Sequence, residues 1–504
     1  MLNVQMEATN LIIRDFKLNE VELKDSYLQN AFLLEQEYLL SLDADRLLAG
    51  FFEVAGKTPK GKRYPGGWED QDIAGHTMGH YLTALAQVVA ATGEKKYLER
   101  LHYVVDSLAE CQMESGYLSA FPEVLFDNLE QGKQAWVPWY TMHKILSGLI
   151  RVYQLTELPT ALELAIRLGT WVSNRVNRWN EEMKTLVLKT EYGGMNDCLY
   201  ELYKECGKIE FMMAAEKFDE LPLFREISDG IDNLAGRHAN TTIPKFLGAL
   251  NRYLAVGEEE RFYLHAAEKF FDMVVGSHTY VTGGNSEWEH FGAPNMLAAE
   301  RTNCNCETCN TYNMLKLARG LFQVTGKKKY LDFYEGTFWN SIVSSQNPKT
   351  GMSMYFQPMA TGYFKVFSRP YDNFWCCTGT GMENFTKLND SIYYAKDNTI
   401  YLGMYVSSRL QQKTMGIHLK MRADLPANPV VKVVVEKESE GETKLAFRWP
   451  EWSKGGFRVT GKGKKVTTEE KDGFVFVTVE KVLPNWRHPF VRRCRFMNYR
   501  TMPM

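Results

Sequence analysis

The feature of this sequence that most constrains its fold is a short joint that recurs between segments of helical period. Residues 92–97 read TGEKKY, and residues 325–330 read TGKKKY. Looser versions begin at Thr156, Cys206 and Val256, so successive joints lie about 50 to 70 residues apart. That spacing leaves room for two helices and their loops, which is typical of stacked helical hairpins.

The segments between the joints predict how many helices there are. Apolar residues recur at i, i+3, i+4 and i+7 in 81–91, 145–155, 246–254 and 314–324. With the remaining long segments, about twelve helices are expected, enough to close a ring of six hairpins. The loops before the first helix of each pair are rich in glycine, aromatic and polar residues. In a closed ring they would meet at one end, where we expect the functional site.

The pattern changes after about residue 395. The stretches 400–406, 430–435, 444–449 and 474–479 are short, partly alternating and rich in Val, Ile, Phe and Tyr, as strands of an antiparallel β-domain would be. We therefore expect a mainly α domain at 1–395 and a smaller, possibly incomplete, β-sandwich-like domain at 396–504. The last residues, 487–504, fit neither period and are interpreted as a solvated basic tail.

Composition excludes some classes of partner. The net charge of −2 favours binding to neither nucleic acid nor an anionic membrane, and no apolar run is long enough to span a bilayer. The first residues lack the features of a signal peptide, so a cytoplasmic location is expected, or a secreted or periplasmic one if a leader was removed. Nine clustered cysteines suit a metal site or catalysis better than a disulfide framework.

One group of residues has the chemistry of a metal site. Glu307 and Cys309 form a Glu-x-Cys motif, and Cys376 and Cys377 are adjacent. Three thiols and a carboxylate are ligands that Zn²⁺ accepts. From spacing alone, a structural zinc clip and a catalytic zinc are about equally credible, because a fully ligated zinc is usually structural.

Aromatic side chains accompany this group in the loop regions. Trp68, Tyr192, Tyr355 and Trp375 belong either to the core or to the mouth of the ring. Aromatic side chains on convergent loops also suit the apolar faces of sugars.

Several motifs together resemble the β-L-arabinofuranosidases of glycoside hydrolase families 127 and 146, over roughly residues 23–410. They are Gly-Gly-Trp at 66–68, Gly-His-Thr-Met-Gly-His-Tyr at 75–81, Gly-Met-Asn-Asp at 194–197, Gly-Gly-Asn-Ser at 283–286, Glu-His-Phe at 289–291, Glu-Thr-Cys at 307–309 and Trp-Cys-Cys at 375–377. The resemblance implies an (α/α)6 barrel followed by β-sandwich material. It also implies retaining hydrolysis of terminal β-L-arabinofuranosyl units, with cysteine in place of the usual carboxylate nucleophile.

The resemblance also implies roles for individual residues. Glu307, Cys309, Cys376 and Cys377 match the zinc ligands, with Cys376 as the nucleophile as well. Glu289 matches the acid/base. His143 and His238 match histidines that contact the sugar.

One region of this sequence departs from the family pattern. The spacer between Glu289 and Glu307 is long and carries two extra thiols, Cys304 and Cys306, which makes Glu287 a rival for the acid. A non-catalytic carbohydrate-binding or structural barrel with a zinc clip remains the alternative function. A sugar epimerase or lyase would share the architecture but would not explain Trp-Cys-Cys.

Overall fold

The computed structural model describes residues 11–438, 441–453, 456–461, 467–479 and 490–496. The chain packs as two compact units that alternate along the sequence. The first contains Leu33–Leu317 and Thr337–Thr386, and the second contains Leu11–Phe32, Ala318–Gly336 and the described residues from Lys387 onward. The domain boundary at 395 stays a proposal, because these units are not two consecutive stretches of chain.

Helices dominate the first unit. The described part of the chain contains sixteen: α1 Ser26–Ser41, α2 Ala44–Val54, α3 His76–Thr92, α4 Lys95–Cys111, α5 Val124–Glu130, α6 Pro138–Thr156, α7 Pro159–Val176, α8 Glu181–Leu188, α9 Met195–Cys206, α10 Ile209–Lys217, α11 Leu221–Ser228, α12 Ala239–Val256, α13 Arg261–Ser277, α14 Thr308–Thr325, α15 Lys328–Thr337 and α16 Cys376–Phe385. None of them is long and apolar enough to cross a membrane.

The recurring joints end one helix and begin the next, as predicted. Gly93 follows α3 with φ +67°, and Gly207 follows α9 with φ +68°. This left-handed conformation is accessible to glycine at little cost and ends a helix by satisfying its last carbonyls. The next helix starts two residues later in both places, so each joint turns the chain within a single loop.

Close approach of α3 and α6 forms part of the first unit's core. A Cβ added to Gly79 would lie only 2.1 Å from the carbonyl oxygen of Lys144, and one added to Gly148 would lie 2.5 Å from that of Gly79. Only glycine fits at such a crossing. The two helices therefore cross backbone to backbone, which fixes the loops that precede His76 and Pro138.

The second unit contains two six-stranded sheets. The strands are β1 Arg14–Asp15, β2 Val21–Leu23, β3 Tyr393–Lys396, β4 Thr399–Leu402, β5 Ser408–Gln412, β6 Ile417–Asp424, β7 Asn428–Lys437, β8 Thr443–Arg448, β9 Phe457–Gly461, β10 Thr468–Lys471, β11 Phe474–Val479 and β12 Phe490–Phe496. Their orders are β1-β3-β4-β8-β11-β10 and β2-β5-β6-β7-β12-β9. All neighbours are antiparallel except β4 and β8, which run parallel.

Two findings in this unit differ from expectation. The interpretation of 487–504 as a solvated tail is wrong for Phe490–Phe496, which pair with both β7 and β9 inside a sheet. Residues 497–504 lie outside the described part. The short strands β1 and β2 also join the sheets, although they come from the N-terminal part of the sequence.

Candidate active site

A small cavity of about 120 Å³ lies in the first unit. Its lining combines aromatic, acidic and thiol side chains, namely Trp68, Ile73, Trp136, Val137, Tyr140, Glu191, His238, Asn240, Glu289, Glu307, Tyr355 and Cys376. Pockets for drug-sized ligands usually measure roughly 300–1,000 Å³. This cavity therefore suits one small ring rather than an extended ligand.

Helix N-termini bring the reactive groups to the cavity. Cys376 is the first residue of α16, Glu307 immediately precedes α14, and His238 is the N-cap of α12. The N-terminal end of a helix carries partial positive charge, which favours carboxylates and thiolates. This convergence follows the expectation that the loops before the first helix of each pair meet at one end.

The four predicted metal ligands form one buried cluster. The ligand atoms of Glu307, Cys309, Cys376 and Cys377 all lie within 4.8 Å of one another. The Sγ atoms of Cys309 and Cys377 are 3.2 Å apart, and those of Cys376 and Cys377 are 3.9 Å apart. Oε1 of Glu307 lies 3.6 Å from Sγ of Cys376 and 3.7 Å from Sγ of Cys377.

None of the four residues of this cluster carries a positive charge, and the neighbouring His238 is paired with Glu289 and Glu191. Glu307 is fully buried, and its Oε2 atom has no hydrogen-bond partner. Burial raises the pKa of Glu307 to about 8 and raises the pKa of the Cys376 thiol well above its ordinary value. A buried carboxylate with an unpaired oxygen is costly unless a cation compensates it. The donor set therefore fits a metal ion.

A second group of polar residues faces the cavity beside this cluster. His238 Nε2 lies 3.5 Å from Glu289 Oε2 and 3.4 Å from Glu191 Oε1. Tyr355 donates its hydroxyl to Glu289 Oε1, and the same hydroxyl oxygen lies 3.6 Å from Sγ of Cys376. The Tyr355 hydroxyl thus bridges the thiol cluster and the Glu289 carboxylate.

The electrostatics of this group follow from its contacts. Burial disfavours the charged imidazolium of His238, but the hydrogen bond to Glu289 and the charges of Glu307 and Glu191 outweigh it and raise the pKa of His238 to about 9. For Glu289, burial opposes ionisation, yet the hydrogen bonds from His238 and Tyr355 lower its pKa. Burial raises the pKa of Glu191. His238 and Glu289 therefore form an ion pair at neutral pH.

The loop that carries Glu289 is held in an unusual conformation. Ser286, Trp288 and Glu289 have φ values of +81°, +45° and +70°, which L-residues rarely adopt. The backbone is fixed by its hydrogen bonds, since the Glu289 carbonyl accepts from Ala239 N at 2.8 Å and Trp288 N donates to Cys304 O at 2.9 Å. Such strain persists only where the surroundings impose it, and it often marks a functional site.

The structure brings some predicted site residues together and separates others. Trp68, His238, Glu289, Tyr355 and Cys376 line the cavity, together with Glu307. Cys309 and Cys377 lie behind it in the thiol cluster. The structure places the remaining predicted residues off the cavity wall; they are His143, Tyr192, Trp375 and the rival acid Glu287.

The positions of these four residues have local explanations. His143 is buried and accepts a hydrogen bond from Gly194 N at 3.1 Å. Tyr192 is buried and donates to Glu220. Trp375 caps α16, and its ring centroid is 5.6 Å from that of Tyr355. The backbone of Glu287 pairs with His290 and Asn305.

Six cavity residues were not predicted as site residues from the sequence. They are Ile73, Trp136, Val137, Tyr140, Glu191 and Asn240. Glu191 directly precedes the Tyr-Gly-Gly-Met-Asn stretch, so its place in a loop that leads into a helix was the available signal. Trp136 and Tyr140 flank the start of α6 in the same way.

Comparison with known families identifies the family of this chain. The family model described as β-L-arabinofuranosidase, GH127 catalytic domain, matches residues 20–390, and the GH127 middle domain matches residues 399–483. The first match alone covers most of the chain. The chain therefore belongs to the β-L-arabinofuranosidase family GH127, as the sequence motifs predicted.

Individual relatives are distant in sequence. A non-reducing end β-L-arabinofuranosidase from Bifidobacterium longum subsp. longum is 22% identical over 233 residues, which are 43% of this chain. The chain thus matches only 35% of that relative's length.

Solved structures match over nearly the whole chain. A GH127 β-arabinofuranosidase superposes with a TM-score of 0.77 at 18% identity, covering 97% of this chain and 81% of the other. A GH127 β-L-arabinofuranosidase from Geobacillus stearothermophilus T6 gives 0.75 at 16% identity, covering 94% and 81%. These likenesses confirm the predicted (α/α)6 barrel followed by an antiparallel β domain.

Proposed function

We propose that this protein is a retaining glycoside hydrolase that releases terminal β-L-arabinofuranosyl residues from plant-type glycans. The observation that carries the proposal is the buried thiol and carboxylate cluster, which opens through Cys376 onto a cavity sized for one ring. A structural clip needs no such cavity. Membership of the GH127 family supports the same reading.

We propose Zn²⁺ as the metal, held by Glu307, Cys309, Cys376 and Cys377. Zn–S bonds of about 2.3 Å in a tetrahedron give sulfur–sulfur edges of about 3.8 Å. The observed sulfur separations of 3.2 and 3.9 Å and the sulfur–oxygen separations of 3.6 and 3.7 Å are close to such edges. When bound, the ion would keep these thiols deprotonated and so supply an anionic sulfur at Cys376.

We propose the remaining roles, which the positions of the side chains support. Sγ of Cys376 attacks the anomeric carbon while Glu289 protonates the departing glycosidic oxygen. Glu289 then takes a proton from water, which attacks the same carbon and releases the sulfur. Before the first step the proton is on His238, which lies 3.5 Å from Glu289 and passes the proton to that carboxylate. After the second step Glu289 gives the proton taken from water back to His238. Glu289 thus acts first as general acid and then as general base, and both roles require that its carboxylate faces the glycosidic bond.

The separation of the two reactive groups supports retention. Sγ of Cys376 lies 3.6 Å from the Tyr355 hydroxyl oxygen, and that hydroxyl donates to Glu289 Oε1. The distance from Sγ to Oε1 is therefore at most 3.6 Å plus the length of one hydrogen bond, about 2.7 Å. Inverting enzymes separate their groups by about 6.5–9.5 Å to admit a water, and retaining enzymes by only about 5–5.5 Å. Trp68 and Tyr355 would hold the sugar through its apolar face, and the predicted sugar contacts of His143, Tyr192 and Trp375 stay part of this proposal.

A panel of nitrophenyl furanosides tests the proposal. The protein should hydrolyse the β-L-arabinofuranoside in preference to its α-anomer and to other pentofuranosides. In methanol, the captured methyl glycoside should keep the β configuration. Failure to cleave any arabinofuranoside would reject the function, and an inverted product would reject the covalent route.

Replacement of the acid separates Glu289 from its rival. A general acid matters most for a poor leaving group and typically contributes about 10²–10⁴-fold. Glu289→Gln should therefore slow cleavage of an alkyl arabinofuranoside by this factor, but should slow the first step with a nitrophenyl leaving group much less. Glu287→Gln, two residues away, is the matched control and should change neither. The reverse result would make Glu287 the acid.

A further inference from the structure

A second, much larger groove adjoins the catalytic cavity in the same unit. Its volume is about 910 Å³, against about 120 Å³ for the cavity. Residues of α8, α11 and α12 form its walls, and Glu191 and His238 line both spaces. The groove therefore begins where the cavity ends and has room for several sugar rings.

The groove lies on the side of the acid rather than the nucleophile. His238, which both spaces share, contacts Glu289 at 3.5 Å and Glu191 at 3.4 Å. Neither Cys376 nor Glu289 lines the groove itself, so His238 is the link between the groove and the acid. In a retaining hydrolysis the leaving group departs toward the acid, on the face opposite the nucleophile. A leaving group that emerges past Glu289 and His238 enters this groove.

The charges along the groove balance. It is lined by five lysine and arginine side chains, Lys184, Lys189, Arg225, Arg237 and Lys245, and by five acidic ones, Glu181, Glu191, Asp219, Glu220 and Glu226. His238 also lines it, and the charge of its imidazolium is offset by Glu289 at 3.5 Å. Equal numbers of cations and carboxylates provide many hydrogen-bond donors and acceptors without a field that selects an ion. A neutral polyhydroxyl chain fits this lining better than a chain of uronates.

Two side chains that line the groove, Glu220 and Lys245, are held in place by their contacts. Glu220 accepts a hydrogen bond from the Tyr192 hydroxyl at 3.0 Å and pairs with the buried ammonium of Lys245. Lys245 Nζ also lies 4.5 Å from the centre of the Tyr192 ring. Side chains held in this way lose little further freedom when a ligand binds, which favours affinity.

We infer that this groove binds the leaving-group side of the substrate, as a neutral oligosaccharide of two or more sugars. The inference rests on the proposed function, since it takes Glu289 as the acid. It makes the preferred substrate an arabinofuranosyl unit on a neutral glycan chain rather than on a small aglycone or an acidic glycan.

Three substrates with the same terminal β-L-arabinofuranosyl unit test the inference. The unit is attached to nitrophenol, to neutral α-1,5-linked arabinotriose, or to a trisaccharide that begins with galacturonate. The arabinotriose substrate should exceed the galacturonate one in kcat/KM by about tenfold, the value of one or two net hydrogen bonds. Equal rates for these two, or a preference for the galacturonate, would overturn the inference.

Variants locate the effect in the groove. Thr185 is an exposed residue of α8 on the groove wall, and Thr185→Trp should lower the kcat/KM ratio of arabinotriose to nitrophenyl substrate about tenfold. Leu221→Trp, at a lining residue of α11, should do the same. Glu182→Trp is the matched control, because Glu182 is exposed on α8 but does not line the groove. Unchanged ratios in both wall variants would overturn the inference.

A binding measurement separates this inference from the proposed function. Free arabinotriose, without the terminal unit, should bind the unmodified protein in a calorimetric titration, and Thr185→Trp should abolish that binding. If no arabinofuranoside is cleaved but arabinotriose still binds in this pattern, the proposed function fails and the groove assignment stands. If the nitrophenyl substrate is cleaved but arabinotriose does not bind, the proposed function stands and the groove assignment fails.

Discussion

Two buried clusters of ionisable groups in this protein satisfy their charges in different ways. In the second unit, Arg448 is completely buried, and its guanidinium pairs with Asp332 and Glu335. Lys328 also pairs with Asp332, and Trp452 Nε1 donates to Glu335 at 2.8 Å. In the first unit, Glu307 is equally buried but is surrounded by thiols, and one of its oxygens lacks a partner.

The presence or absence of an internal cation indicates the role of each cluster. A buried carboxylate is tolerated where a cation and hydrogen bonds offset its loss of water. The Arg448 cluster contains its own cation, so it can form as the chain folds and serve stability. The cation beside Glu307 is His238, and His238 is already paired with Glu289. The thiols and the unpaired oxygen of Glu307 therefore leave a further cation to be supplied from outside, and Glu307 and Cys376 face a cavity.

Metal removal gives the largest expected effect on this comparison. The purified protein should carry about one Zn²⁺ per chain, and a chelator should abolish hydrolysis of nitrophenyl β-L-arabinofuranoside. Most of the helical circular dichroism should remain, because the helices bury their own apolar core. Re-addition of Zn²⁺ should restore turnover. Metal-free protein with full activity would remove the distinction between the two clusters.

Loss of the internal cation should destabilise the protein strongly. Arg448→Met would leave Asp332 and Glu335 buried without their guanidinium, which typically costs about 3–5 kcal/mol. Urea unfolding followed by tryptophan fluorescence measures this change.

An exposed ion pair of the same unit provides the control. Arg409 lies 3.6 Å from Glu22, and both side chains are more than 40% exposed. Arg409→Met should change stability by less than about 1 kcal/mol. Equal effects of the two variants would show that burial does not set the value of the Arg448 cluster.

A third buried carboxylate, Glu35, has an unpaired oxygen as Glu307 has, but it belongs to neither of the candidate metal-ligand groups found among the described residues. A proton satisfies it instead. Burial raises the pKa of Glu35 from 4.5 to about 8, so the folded protein keeps a proton that the unfolded chain releases. Its contribution to stability should therefore fall as pH rises from about 5 to about 8, with a slope of at most about 1.4 kcal/mol per pH unit. Glu35→Gln should flatten this part of the pH profile of urea unfolding.

The neighbouring Glu37 is exposed on the same helix and serves as the control. Glu37→Gln should leave the slope unchanged. If Glu35→Gln and the unmodified protein lose stability in parallel with rising pH, Glu35 is ionised in the folded protein and the comparison with Glu307 is wrong.

Local sequence signals predicted the fold where they are strong. The helical joints contain glycines that adopt the left-handed conformation. In strand β11, buried residues alternate with partly buried ones along most of the strand, as its sequence predicts. Strands β1 and β2 have only two and three residues, too few to show a period. The segment FVRRCRF of β12 was misread because its arginines suggested a solvated tail.

The site was predictable in its chemistry but not in its shape. Three thiols and a carboxylate are typical metal ligands, so the residue types alone predicted a metal site. The structure brings these four residues together; they are Glu307, Cys309, Cys376 and Cys377. Whether such a cluster opens onto a cavity depends on which loops meet in the folded chain. The cavity position of Glu191 depends on the same packing, so the sequence did not single it out.

The central claim is that Cys376 forms a covalent bond to the sugar. In Glu289→Gln, nitrophenyl β-L-arabinofuranoside should still react in the first step, while water attack is slowed, so the glycosylated protein should accumulate. Intact-mass and peptide mass spectrometry should then find one anhydropentose on the peptide containing Cys376. An unmodified Cys376 with continued turnover, or the sugar on Cys304 or Cys306, would contradict the assignment.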